Sequence, residues 1–460
     1  MDTTHFHFAG QLTARDCKRH IPHAFVAPAD SRELQIHFRF TPARGHGVAN
    51  LLTLTLFDPH GFRGAGHRGG ACHQVRLTAE EATPGYLRGQ LPAGAWNVQI
   101  DTHMIMPAEA VCYWLDVSIV RGGVSSSETP IVFEPPAHKT PRRGPGWYRG
   151  DLHTHTNHSD GGKRTVAELI QSARQAGLDF VFLTDHNTNA GQVEMPAGSL
   201  RPDDLSSNDL LMASGIELTT FWGHALCLGA REWIDWRVRP GTGDIAAIAA
   251  AARGRDQVFI IAHPQSKGDP GCTGCAWRFG EMMPGDARLV EIWNGPWAGN
   301  SNNEGSLALW YDWLNQGLRL VATAGSDTHG SRDYGRWPGF SVIYAEELSE
   351  AALLKALAAG RLYLSAGPQL AFQGQMADGA CAISGDTVST PADFTVTWAN
   401  CPEDAQLRLI ANGRLLRVSP TGDQGVYAWR MTPADADWVL AEVRNRDGEM
   451  LAITNPIFLS

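Results

Sequence analysis

Hydrophobic and polar positions alternate along most of the first 140 residues. The alternation has a period of two and is clear at 33–40, 52–56 and 96–100, with glycine and proline between the runs. This pattern is typical of antiparallel strands that bury one face. We therefore predict an N-terminal β-sandwich over residues 1–140.

The pattern changes after a stretch rich in proline and basic residues at 134–145, which predicts a linker. Helical periodicity at 165–176 is followed by an apolar strand at 180–183, and further strands and helices alternate after it. This order favours βα units around a largely parallel sheet, and their number favours a barrel over residues 146–366. Two-residue alternation then returns, which predicts a small C-terminal β-sandwich over 367–460.

Potential metal ligands follow the predicted strands of the central region, where the active sites of parallel barrels are built. The set comprises six imidazoles and three carboxylates: His153, His155, Asp160, His186, Glu217, His224, His263, Asp327 and His329. One ion accepts about four to six such ligands, so nine donors predict two to three divalent ions. Because no thiolate is among them, we expect Zn, Mn or Fe.

A multinuclear site of this kind favours hydrolysis. Two ions that share a carboxylate and a bridging water lower the pKa of that water and produce hydroxide near neutral pH. A further ion would bind an anionic oxygen of the substrate.

The motifs at 151–161, 184–187, 261–264 and 325–329 resemble those of the PHP (polymerase and histidinol phosphatase) superfamily. The flanking segments 82–86, 272–275 and 290–297 are similar to CehA/McbA-type metallohydrolases within it. The resemblance implies an α/β fold, a distorted (β/α)7 barrel between the two β-sandwiches, with a trinuclear site.

The resemblance also implies how the ligands divide among three ions. The first ion would be held by His153, His155, Glu217 and Asp327, and Glu217 would bridge it to a second ion held by His224 and His263. Asp160, His186 and His329 would hold the third. We expect Asp327 and Glu217 to be essential for catalysis, and His224, His329 and Asp185 are candidates for proton delivery.

The balance of charge restricts the partners. Lysine and arginine total 38 against 48 acidic residues, a formal charge of −10, which argues against a nucleic acid. No apolar run is long enough to span a bilayer. Eight cysteines and an N-terminus without a signal-peptide pattern predict a cytoplasmic protein without a disulfide scaffold. The oligomeric state stays open.

Three functions are compatible with these features. The first is a metal-dependent phosphoesterase that uses a metal-bridging hydroxide on a small phosphomonoester or phosphodiester. The second is a carbamate or aryl-ester hydrolase, because the same hydroxide could attack a carbonyl. The third is a non-catalytic binding protein, against which the complete set of nine donors weighs.

Other residues have less specific signals. Eleven of the 18 histidines, His67 among them, precede residue 140, and we expect these to be solvated. Cys272 and Cys275 form a CxxC pair without a second pair, which favours a free, structural or lid role. Two sets are candidates for contacts with substrate: the tryptophans Trp222, Trp277, Trp293 and Trp297, as walls for an aromatic or sugar-like group, and the cations Lys163, Arg164, Lys267, Arg332 and Arg336.

Overall fold

The structure is a computed structural model that describes residues 2–107, 110–122, 143–160, 163–195, 210–330 and 333–460, without the side chains of Asp160 and Asp333. It is a mixed α/β protein in which strands predominate over a few helices. No helix in these ranges is both long and apolar enough to cross a membrane. The predicted linker at 134–145 lies outside the described residues except for its last three.

The N-terminal region consists of two four-stranded antiparallel sheets, with strand orders β1-β10-β3-β8 and β2-β9-β6-β7, and a small two-stranded sheet of β4 and β5. Alternate residues of β3, among them Ile36 and Phe38, share a buried core with Leu54 and Val98 of the other sheet. We call this unit the N-terminal sheet pair. Its strands are β1 (Thr3–Leu12), β2 (His20–Ala27), β3 (Ser31–Thr41), β4 (Arg44–Gly45), β5 (Val48–Ala49), β6 (Leu51–Asp58), β7 (Gly61–Gly66), β8 (Cys72–Leu77), β9 (Gly94–Met104) and β10 (Val111–Arg121).

The described part of the central region contains nine strands and five α-helices. The predicted helix near 165–176 is confirmed; Thr165 caps it and Val166, Leu169 and Ala173 face the interior. The elements are β11 (Gly146–Asp151), α1 (Asn157–Asp160), α2 (Val166–Gln175), β12 (Phe180–Leu183), β13 (Leu211–Thr220), β14 (Gly223–Leu228), α3 (Asp244–Arg253), β15 (Val258–Ile261), β16 (Leu289–Asn294), α4 (Asn303–Asn315), β17 (Val321–Gly325), β18 (Phe340–Ala345), α5 (Glu350–Ala358) and β19 (Leu362–Ser365).

The order of strands in the central sheet is β17-β16-β15-β14-β13-β12-β11-β18-β19. Neighbours are parallel from β11 to β13 and from β15 to β17, as the alternation of strands and helices predicts. In contrast, β14 is antiparallel to both of its neighbours. Only Phe221 and Trp222 connect β13 to β14, and a two-residue connection can form a hairpin but no crossover. The alternation is therefore interrupted at this point.

Some of the C-terminal strands extend the central sheet, and others form a sheet of their own. Strand β28 pairs with β19, so the central sheet continues through β28, β27, β24 and β25 across the predicted boundary at 367. A second, four-stranded sheet has the order β21-β20-β23-β26. The strands are β20 (Gln369–Met376), β21 (Cys381–Ile383), β22 (Thr387–Val388), β23 (Ala392–Ala399), β24 (Gln406–Ala411), β25 (Arg414–Pro420), β26 (Gly425–Met431), β27 (Trp438–Arg444), β28 (Met450–Thr454) and β29 (Ile457–Leu459).

Gly85 joins the N-terminal sheet pair to the central region. Its N–H donates to Nδ1 of His158 at 2.9 Å, and its carbonyl accepts from the Thr188 hydroxyl at 2.9 Å. A Cβ at this position would lie 2.4 Å from the His158 carbonyl oxygen and 2.5 Å from that of Ala65. The residue also has a φ of +91°, so only glycine fits this contact without strain.

We expect Gly85→Ala to reduce the free energy of unfolding by about 3 kcal/mol or more, because overpacking adds to backbone strain. Gly70→Ala is the matched control, since Gly70 has a φ of +98° and no atom within 4 Å of an added Cβ. It should lose about 1–2 kcal/mol from strain alone. Urea denaturation measures both changes, and equal losses would show that the contact at Gly85 is not tight.

Candidate metal centre

The candidate ligands lie at one edge of the central sheet. His153 and His155 follow the end of β11, His186 follows β12, and His263 follows β15. Asp327 and His329 come directly after β17, whereas Glu217 and His224 belong to the hairpin of β13 and β14. Parallel strands bring their carboxyl ends to the same edge, and the hairpin extends the set to β14.

Glu217 lies at the middle of the cluster. Its Oε2 is 2.5 Å from Nδ1 of His186, and its Oε1 is 3.0 Å from Nδ1 of His224. The same Oε1 lies 3.4 Å from Nε2 of both His153 and His263. Both carboxylate oxygens therefore face imidazole nitrogens, so that each oxygen could share an ion with them.

Asp327 is the second carboxylate of the cluster. Its Oδ1 is 2.9 Å from Nε2 of His155 and 3.4 Å from Nε2 of His153. The φ of Asp327 is +49° and that of His263 is +30°, values that are uncommon outside glycine. Strained conformations of this kind occur at functional sites and also in turns.

Among the described residues the donors form four groups, in each of which the potential ligand atoms lie within 4.8 Å of one another. The groups overlap, since His153, His155 and His263 each belong to two of them. They are His153, His155 and Asp327; Glu217, His224 and His263; His155, His186 and His329; and His153, His263 and Glu291. The structure thus brings together eight of the nine predicted ligands, and how they divide among ions stays a prediction.

Glu291 was not predicted as part of the site. It is fully buried on β16, and its Oε1 lies 3.0 Å from Nδ1 of His153. This contact fixes the His153 ring and directs Nε2 towards Glu217 and Asp327, as carboxylates behind metal-binding histidines do. Gly325 permits it, because a Cβ there would lie 2.4 Å from His153 Cβ and 2.7 Å from Glu291 Oε1.

The histidines keep the two central carboxylates ionised. Burial alone would raise the pKa of the Glu217 carboxyl, but His186, His153 and His224 hold that pKa well below its usual range. Burial likewise opposes ionisation of Asp327, yet the nearby imidazoles, His153 first, hold its pKa well below the usual range. Both carboxylates are therefore in the form that binds cations.

The imidazoles differ from one another. Burial, with His186 and His329 nearby, lowers the pKa of His155 well below its usual range, so that its neutral form predominates. Burial also opposes the charged form of His153, but Asp327 and Glu291 outweigh it and raise the pKa well above the usual range. A cation bound at His153 would therefore displace a proton.

The cluster fits a group of divalent ions. Nε2 of His224 and Nδ1 of His263 are buried and have no hydrogen-bond partner in the described ranges. Leaving such atoms without a partner is costly, and ions in contact with them would remove the cost. The donors are imidazole nitrogens and carboxylate oxygens, which suit Zn, Mn or Fe.

Two predicted site residues are not among the donors described above. The carboxylate of Asp185 accepts hydrogen bonds from the Thr156 N–H, the Thr156 hydroxyl and the Ser159 hydroxyl at 2.7–2.8 Å. These bonds hold the segment after His155 in place. The side chain of Asp160 lies outside the described residues, so its role as a ligand stays a prediction.

A cavity of about 560 Å³ opens over the cluster. Glu217, Asp327 and His329 line its floor, and Lys163 lies at its wall. Cys272 and Cys275, which are joined as a disulfide, form another wall. Among the other proposed cations, Arg164 is buried and donates to the backbone, and Arg332 lies outside the described residues.

The tryptophans near the motifs do not form the walls of this cavity. Trp277, Trp293 and Trp297 are buried in the core of the central region, and Trp222 lies beneath the ammonium of Lys18. None of these four residues, all within the described ranges, lines the cavity. The expectation of an aromatic wall made of tryptophan is therefore wrong.

The expectation that the N-terminal histidines are solvated is also wrong for His23, His73 and His103, which are buried, and for His67, which is half-buried. His103 is 1% exposed, and the half-buried His67 lines the cavity beside the candidate ligands. The ring centroids of His67 and His186 are 4.7 Å apart. Nothing in the sequence separates His67 and His103 from the other histidines of the N-terminal sheet pair. The contact between His67 and His186 depends on how that unit packs on the central sheet.

The chain matches no family model and has no significant match among curated proteins. Solved structures similar to it include a two-domain protein from Bacteroides vulgatus that contains a predicted PHP-like metal-dependent phosphoesterase, at 14% identity and a TM-score of 0.39, covering 71% of this chain and 100% of that one. A protein assigned as a metal-dependent phosphoesterase from Bifidobacterium adolescentis matches at 21% identity and a TM-score of 0.28. The match covers 43% of this chain and 90% of that one. PliG from Aeromonas hydrophila, a periplasmic inhibitor of g-type lysozyme, matches at 18% identity and a TM-score of 0.16. The match covers 25% of this chain and 86% of that one. All three TM-scores are below 0.5, too low to establish a shared fold.

Proposed function

We propose that the protein is a metal-dependent phosphoesterase of the PHP type that hydrolyses a small phosphomonoester or phosphodiester at a site of two or three divalent ions. The observation that carries the proposal is the overlap of the donor groups through His153, His155 and His263, with Glu217 and Asp327 among the members of these groups. A single ion cannot use so many donors, whereas a shared carboxylate is what adjacent ions require. The PHP-type motifs of the sequence supply most of these donors.

Bound ions would supply hydroxide near neutral pH and neutralise the charge on the phosphoryl oxygens. The chain's own residues hold and orient them. Glu217 offers one oxygen to each side of the cluster, and Glu291 keeps Nε2 of His153 directed inward. Lys163, exposed at the wall of the cavity, adds a positive charge where an anionic substrate would enter.

The proton-delivery candidates now differ in position. His224 and His329 line the cavity, whereas Asp185 is buried behind it with three hydrogen bonds. We infer that Asp185 acts by positioning the segment after His155. Of these three residues, only His224 and His329 are placed to contact a leaving oxygen.

We expect carefully purified protein to contain two to three divalent ions per chain, because the donors exceed the capacity of one coordination sphere. Inductively coupled plasma mass spectrometry of the full chain measures the content. Dialysis against a chelator should abolish phosphoester hydrolysis, and Zn or Mn should restore it. A content of at most one ion per chain, in protein that is fully active, would contradict the proposal.

A further inference from the structure

One wall of the cavity comes from the N-terminal sheet pair. Val48, Ala49, Leu51, His67 and Gly69 all line it, opposite the floor of candidate metal ligands. Three of the five have aliphatic side chains. A substrate whose phosphoryl oxygens lie at the metal ligands would point its organic substituent away from them and towards this wall.

His67 is a member of this wall whose ring contacts a candidate ligand. Its ring lies 4.7 Å from the ring of His186, and it is absent from every donor group formed by the described residues. Its Nδ1 is buried and has no hydrogen-bond partner in the part of the chain that the structure describes. The position is that of a side chain that contacts substrate rather than an ion.

The ring of His67 is held in place from behind. His103 packs against it edge to face, with the centroids 4.8 Å apart. Nε2 of His103 in turn lies 3.0 Å from the Thr53 hydroxyl oxygen, so strands β6 and β9 fix the pair. Because the ring is already ordered, a ligand that packs on it does not have to restrict its motion.

We propose that this wall is the subsite for the substrate's leaving group, with His67 as its specificity-determining residue. The inference rests on the proposed function. Aliphatic side chains and an imidazole ring favour an apolar, preferably aromatic, substituent, because burying its surface stabilises the complex and leaves no polar group of the substrate unpaired. The preferred substrates would then be aryl or benzyl phosphoesters, in preference to methyl esters.

The test uses two non-hydrolysable probes, benzylphosphonate and methylphosphonate, and measures their dissociation constants by isothermal titration calorimetry on the metal-loaded full chain. The wild type should bind benzylphosphonate about tenfold more tightly, the size expected for partial burial of one ring. His67→Ala should lose most of that preference, whereas its affinity for methylphosphonate and its ion content should not change. His23→Ala, at a buried histidine of the same sheet pair that does not line the cavity, is the matched control and should keep the preference.

If His67→Ala only disturbed the structure, its affinity for both probes would fall together. The ratio of the two affinities therefore identifies the subsite. The inference is wrong if the wild type shows no preference, if His67→Ala keeps it, or if that variant loses ions. Failure of the proposed function looks different: the preference would depend on His67, yet metal-replete protein would not hydrolyse phenyl phosphate. Hydrolysis of phenyl phosphate with a ratio that is insensitive to His67 would overturn only the subsite.

Discussion

Replacing Asp327 by asparagine should lower phosphoester turnover by about 10³-fold or more, because it removes a charge that helps to hold the ions and several kcal/mol of transition-state stabilisation with it. Oδ1 of Asp327 lies 2.9 Å from Nε2 of His155, in the centre of one donor group. Asparagine has the same shape and tolerates the φ of +49° at this position, so the fold should persist. Steady-state kinetics of metal-replete protein measure the loss.

Asp256→Asn is the matched control for this change. Asp256 also has a positive φ, of +56°, but it is exposed in a turn after α3 and takes no part in a donor group. The same substitution there should leave turnover within about twofold, as is usual for surface positions. Turnover of Asp327→Asn within tenfold of the wild type would show that this carboxylate is not needed.

Replacing Glu217 by glutamine should remove at least one ion per chain. It should also lower turnover about as much as Asp327→Asn does, by about 10³-fold or more relative to the wild type. Oε2 of Glu217 faces His186 and Oε1 faces His224, so both oxygens are used. An amide offers only one oxygen, and its NH₂ group would point at an ion or at a ring nitrogen. The loss should therefore appear in the ion content as well as in the rate.

Glu350→Gln is the control for the Glu217 variant. Glu350 is a buried glutamate that accepts from the Ser214 N–H and from Arg231, away from the donor groups. Its variant should keep the ion content of the wild type even if its stability falls. A Glu217→Gln protein with the ion content and turnover of the wild type would rule out a shared carboxylate at this position.

The predicted part of the candidate site came from a simple relation between strand ends and polar residues. A histidine or carboxylate directly after an apolar strand is easy to recognise, as at His186 and His263. Glu291 was not predicted because it lies inside β16, where the surrounding residues indicate only a buried strand. The one available signal was the charge itself, because a carboxylate within an otherwise apolar buried strand needs a partner.

The rest of the fold depends on contacts that local patterns do not contain. The alternation with a period of two correctly predicted that strands form at the C-terminus. It did not predict that β28 pairs with β19 and continues the central sheet. His67 reaches the cavity only because β7 and the segment around Gly85 dock on the central region. Long-range pairing and docking of this kind are set by the complementarity of whole surfaces rather than by the sequence of one element.

The most direct test is a comparison of turnover on phosphoesters, carbamates and aryl esters by metal-replete wild type, with Asp327→Asn as the background. We expect hydrolysis of phenyl phosphate or a related phosphodiester that exceeds the background by about 10³-fold and disappears on chelation. Carbamate or aryl-ester turnover under the same conditions, without detectable phosphoester hydrolysis, would contradict the account and assign the metal centre to carbonyl chemistry.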